Sequence, residues 1–169
     1  MLRNTLTILV LFLSLASSCQ TTLRRSLRKI CKEIASDSIL QGEHVGWTGS
    51  TTDLWLLSRK LISKTSKKEK LVITSHQNKI VRAYMIMYMV ESNHDSLISI
   101  LKKHENDTII IQYQFGCMIQ ESPLIDFVIR IANNKIKKAP NYYNKKQKEY
   151  ISSRKTVASL RSRRRRRIR

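Results

Sequence analysis

Three cysteines, four histidines and twelve acidic side chains are the groups in this 169-residue chain to which catalytic or metal chemistry is open. A zinc site needs cysteine or histidine ligands at short, fixed spacings, such as two histidines four apart on one helix face. His44, His76, His94 and His104 are 32, 18 and 10 residues apart, and none lies close in sequence to a cysteine. The spacing therefore supports no metal. Cys117, directly after Gly116, is a thiol that a neighbouring histidine could activate as a nucleophile. A packed, inert thiol is the stronger expectation. The sequence has no glycine-rich phosphate loop and no Gly-x-Ser-x-Gly elbow, and its carboxylates are scattered. No catalytic residue, cofactor or metal ligand is nominated, and the expectation is a protein that is not an enzyme. Asn106, Asp107 and Thr108 fit an N-glycosylation sequon, which matters only in a eukaryotic host. What remains is chemistry at the two ends of the chain: Cys19 and a run of arginines.

Arg3 gives a positive start, and residues 6–16 are apolar apart from Thr7 and Ser14. This stretch is too short to span a bilayer core, which needs about 20 apolar residues. A charged start, a short apolar run and small residues read as a secretory signal. Leu15, Ala16, Ser17, Ser18 and Cys19 resemble the lipobox of bacterial lipoproteins, with Ala16 where leucine is commonest. The resemblance implies cleavage after residue 18 and acylation, palmitate included, of Cys19. Two or more acyl chains anchor stably where one does not. The expected location is the cell envelope, lipid-anchored in the outer membrane, with a membrane and an envelope protein as partners.

Charge is unevenly placed. Residues 1–133 carry 17 Lys and Arg against 11 Asp and Glu, whereas residues 134–169 carry 15 against Glu149 alone. Most of the net +20 thus belongs to the C-terminal segment. Arg161, Arg163, Arg164, Arg165, Arg166, Arg167 and Arg169 cannot bury themselves, so a disordered, polyanion-binding tail is expected. Anionic lipid or lipopolysaccharide suits it; nucleic acid would bind it too, but secretion keeps the chain from the genome.

Between the ends the hydrophobic pattern is helical. Leu23, Leu27, Ile30, Cys31 and Ile34 form one stripe, with Arg24, Arg25, Arg28, Lys29 and Lys32 mostly off it. Such a helix could lie on a membrane or pack on the body. Residues 41–50 hold three of the four glycines and read as a loop. Residues 50–53 and 66–69 then have capping-box spacing, each opening a helix. Cys31 and Cys117 could pair in an oxidising compartment, or stay free and buried.

A shift of 30 residues places Val81 on Ile111, Met85 on Phe115, Leu97 on Phe127 and Leu101 on Ile131. Read as helix pairs, the copies are 79–91 with 94–104 and 109–120 with 123–133, the period of a helical solenoid. Residues 108–115 favour strand by propensity, with Ile111, Tyr113 and Phe115 alternating with Gln112 and Gln114. No second strand of like quality is evident to pair with them, so helix is the expectation.

Asn78, Val81, Arg82, Ala83 and Tyr84, with residues 95–101 and then Asn106 and Asp107, resemble the HEAT-type repeat. The order of residues 45–49, Trp55, residues 81–84, 106–108 and 115–117, then Asp126 and Phe127, is similar to that of an uncharacterised family of bacterial envelope lipoproteins. Gln112 stands where the first copy has Arg82, and the usual turn proline is absent. The resemblance implies an all-α, short HEAT-like solenoid of paired antiparallel helices. The expected organisation is a signal over 1–18, a helical domain over 19–134, and a basic helix and Arg-rich tail over 135–169. The expected function is a non-catalytic protein-interaction scaffold on a lipid anchor, with the arginine tail as an electrostatic tether the alternative.

Overall fold

The computed structural model describes residues 23–154. The first helix, α1 (Arg25–Ala35), buries Leu27, Ile30, Cys31 and Ile34 and turns its basic side chains outward. Its stripe meets the protein core, the second of the two placements open to it. β1 (Ile39–Val45) and β2 (Ser50–Thr51) follow, then α2 (Asp53–Lys64), where the Thr52 hydroxyl accepts from the Trp55 N–H. α3 (Lys67–Ile73) begins in a full capping box, Ser66 and Glu69 each bonding the other's backbone N–H. Glu69 also holds the Arg24 guanidinium at 2.8 Å, which ties the start of α1 to that cap.

α4 (Lys79–Glu91) is the hub. The Asn78 side chain caps its first N–H groups, and nine of its thirteen residues are buried, among them Val81, Tyr84, Met85 and Met89. A helix apolar on nearly every side must be enclosed. Here α1, α2, α3, α5 (Leu97–Lys103), α6 (Leu124–Lys138) and β1 enclose it. The Tyr143 hydroxyl donates to the Val90 carbonyl at 2.7 Å, and that of Tyr142 to the Glu91 carbonyl, satisfying the end of α4. A last helix, α7, occupies 145–154.

The all-α, HEAT-like solenoid is overturned. The first expected pair exists as α4 and α5, but residues 109–120 are not a helix. They form β3 (Ile110–Gly116) and the first half of β4 (Met118–Pro123), an antiparallel hairpin. The sheet has four strands in the order β2-β1-β3-β4, with β1 and β3 parallel, so the fold is mixed α/β. Two physical facts decide this. Ile111 and Tyr113 alternate inward onto the core while Gln112 and Gln114 face away, as propensity favoured. The partner strand that looked absent is β1, which hides three polar residues and a glycine in its seven. Gly42 is there because the Phe115 ring covers it: a Cβ on that glycine would fall 2.6 Å from ring Cε1. The 30-residue shift matched apolar spacing, not structure.

Candidate interaction surface

Two turns meet at one end of the sheet. β1 ends at Val45, paired with Gly116 at the end of β3, and the next N–H, of Gly46, donates to the Gly116 carbonyl at 3.0 Å. Gly116 has φ +70°, which lets Phe115 and Met118 face each other across a two-residue turn. The segments 45–49 and 115–117, both singled out by the sequence resemblance, are therefore neighbours in space.

Large apolar side chains are exposed there. Trp47 is 96% exposed, Met118 63%, Ile119 55% and Phe115 44%. Phe115 and Met118 share the inner face of the sheet and Ile119, opposite Gln114, lies on the outer face, so apolar side chains are exposed on both faces beside the joined turns. The neighbouring backbone is not the attraction. The bond from the Leu124 N–H to the Ile109 carbonyl sets the parity of the β3–β4 ladder, leaving Ile119 and Glu121 with outward N–H and carbonyl groups and Pro123 with an outward carbonyl. Pro123 lacks an N–H at the end of that edge. A short edge with a charge and a proline resists strand addition.

Beside the patch, between the hairpin and α6, lies a cavity of ≈ 290 Å³ lined in part by Glu91, Tyr113, Phe115, Met118, Phe127 and Arg130. The Arg130 guanidinium sits 5.0 Å from the Tyr113 ring centre and 5.8 Å from that of Phe127, and donates to the Tyr113 hydroxyl. Tyr113 in turn donates to Gln120 Oε1 at 2.6 Å. Burial holds the Glu91 carboxyl above its ordinary value, with Glu43 adding to this and Arg59 and Lys135 opposing it.

A second polar cluster is buried between α4 and α5. Arg82 Nη1 donates to Asp107 Oδ2 at 2.7 Å, and His104 Nδ1 is 3.4 Å from the same oxygen. His104 Nε2 is buried without a partner. The Asp107 carboxylate also accepts from the Ile109 N–H, which fixes the entry to β3. This is architecture: it orders the turn before the hairpin. His76 and His94 likewise serve turns, each Nδ1 accepting a backbone N–H, from Asn78 and Ser96.

Cys31 and Cys117 are both free. Cys31 is buried, and burial pushes its thiol up to about 11. Cys117 is exposed at the hairpin turn, contrary to the expected packed thiol. The described residues hold no cluster of three metal-ligating side chains, and no helix among them is long and apolar enough to cross a membrane. Cys19 and the arginines Arg161, Arg163, Arg164, Arg165, Arg166, Arg167 and Arg169 lie outside the described residues. No family model, curated protein or solved structure matches this chain.

Proposed function

We propose that this chain is a non-catalytic protein-interaction module presenting one end of its sheet to a partner, and that an acylated Cys19 holds it at the cell envelope. The observation that carries the proposal is the joining of the two turns through Gly46 and Gly116, with Trp47, Phe115, Met118 and Ile119 exposed around the junction. Interface hot spots are aromatic anchors ringed by polar groups. Glu43 and His44 are exposed nearby on β1 and supply such a rim. Residues 23–154 carry 23 Lys and Arg against 12 Asp and Glu, a net +11, so an acidic partner is drawn in faster than a basic one.

The test places a photocrosslinking amino acid at Ile119 or, as a control, at exposed Lys68, in intact cells. A discrete adduct from position 119 only, lost when Trp47→Ser and Met118→Ser are added, supports the module. Equal labelling from both positions, or none from position 119, refutes it. Trp47 is almost wholly exposed, so Trp47→Ser leaves the melting temperature unchanged and separates binding from folding.

A further inference from the structure

Glu91 and Arg130 line one cavity and are not spent on each other. Among the described residues the Glu91 carboxylate makes no hydrogen bond and no ion pair; only its backbone carbonyl is used, by the Tyr142 hydroxyl. Arg130 uses one N–H on the Tyr113 hydroxyl and has no carboxylate within ion-pair distance among those residues. The wall between them is aromatic, built from Tyr113, Phe115 and Phe127, with ring centres 4.7–6.1 Å apart. Burial raises the Glu91 carboxyl, Glu43 adds to this and Arg59 and Lys135 oppose it, and Glu91 and Arg130 form no ion pair with each other.

Two opposite charges on one cavity, neither held in an ion pair among the described residues, fit a guest that carries both signs. An ammonium facing Glu91 gains the carboxylate and the negative faces of the rings. An oxyanion facing Arg130 gains its remaining N–H groups and the amide of Asn134, which also lines the space. A singly charged guest would leave the other protein charge unsatisfied. The volume is near the lower bound of small-molecule sites, enough for one compact molecule. The rings demand that it carry an apolar part.

We infer that the cavity between the β3–β4 hairpin and α6 binds a free α-amino acid with an apolar side chain, its carboxylate on Arg130 and Asn134 and its ammonium on Glu91. The site does not depend on the partner surface at the sheet end, although Phe115 and Met118 border both.

The experiment uses the full chain with L-phenylalanine as probe, followed by amide chemical shifts and titration calorimetry. N-acetyl-phenylalanine, which lacks the ammonium, and phenylalanine amide, which lacks the carboxylate, are the comparison ligands. L-Phenylalanine is expected to shift amides of β3, β4 and α6 and to bind at least about tenfold tighter than either analogue. Glu91→Gln removes the discrimination against the N-acetyl compound, and Arg130→Gln removes that against the amide. An unchanged amide spectrum elsewhere certifies that each variant is folded. Equal binding of all three ligands, shifts confined to surfaces away from the cavity, or no shift at ~10 mM, a concentration that would fill even a millimolar site, overturns the inference.

Discussion

The Tyr84 hydroxyl accepts from the Gln41 N–H at 3.1 Å and donates to the Gln41 carbonyl at 2.6 Å. One phenol thus answers both backbone groups of a strand residue and fixes the hub helix to the middle of β1. Without it, the Gln41 N–H and carbonyl would both lose their partner in a half-buried place.

Tyr84→Phe keeps the ring and removes only the hydroxyl. Stranding two backbone groups is expected to cost about 1–3 kcal/mol in urea unfolding. Tyr88, whose hydroxyl meets only Lys70 Nζ at 3.3 Å on a half-buried face, is the control. Tyr88→Phe should fall well below that range. Equal losses would show that the Gln41 bonds contribute nothing particular.

Gly42 and Phe115 make a second tie, this one between β1 and β3. A methyl group at position 42 would overlap the Phe115 ring, so the ring must leave its place over β1. Gly42→Ala should destabilise by about 1–3 kcal/mol, as overpacking does. Phe115→Leu, which vacates the space, should restore most of the loss in the double variant. Additive losses in the double-mutant cycle would mean the two positions do not meet.

These two ties show why half the fold was legible in the sequence and half was not. The α1 stripe of Leu27, Ile30, Cys31 and Ile34 and the Ser66–Glu69 box are local patterns, and each formed where its spacing put it. β3 carries a strand signal, but no local window shows the strand it pairs with. The partner, β1, reads as loop because Gly42, Glu43 and His44 look like turn residues. Gly42 is in a strand only because an aromatic ring from 73 residues further on needs the room. The sheet-end patch was hidden for the same reason: Gly46 and Gly116 meet across 70 residues, and no local window contains both. Glu91 and Arg130 ended as cavity partners by the packing of α4 against α6, which periodicity alone does not set.

The two described thiols should separate cleanly in a labelling experiment on a Cys19→Ser chain. Cys117 is exposed, whereas Cys31 is 2% exposed with its thiol pushed up to about 11 by burial. At pH 8 on the order of 10⁻³ of such a thiol is thiolate, the reactive form. One equivalent is expected to react quickly with a disulfide reagent, and the second only in denaturant. Peptide mapping should place the fast site at Cys117. Two fast equivalents would contradict the packing of α1 on the core.

The last prediction concerns acid. His104 is 6% exposed, with Nδ1 toward Asp107 and Nε2 buried without a partner. Burial holds its ring below the ordinary histidine value; Asp107 opposes this, while Arg82 and Lys103 reinforce it. His76 and His94 are lowered as well, chiefly by burial. A group whose folded value lies below its unfolded one binds more protons when unfolded, so stability rises with pH across that interval. The contribution of His104 is complete above the unfolded value near 6.5 and is lost as pH falls through the folded one. Glu91 works with the opposite sign, since burial raises it, and therefore partly masks the histidines in the wild type. The difference between wild type and His104→Gln isolates the one ring. Urea midpoints taken every half unit from pH 7.5 to 5 should fall for both, less steeply for the variant, which carries no titrating ring at that position. Parallel curves would show that His104 titrates alike folded and unfolded, and that the Arg82–Asp107 pair, not the imidazole, governs this turn.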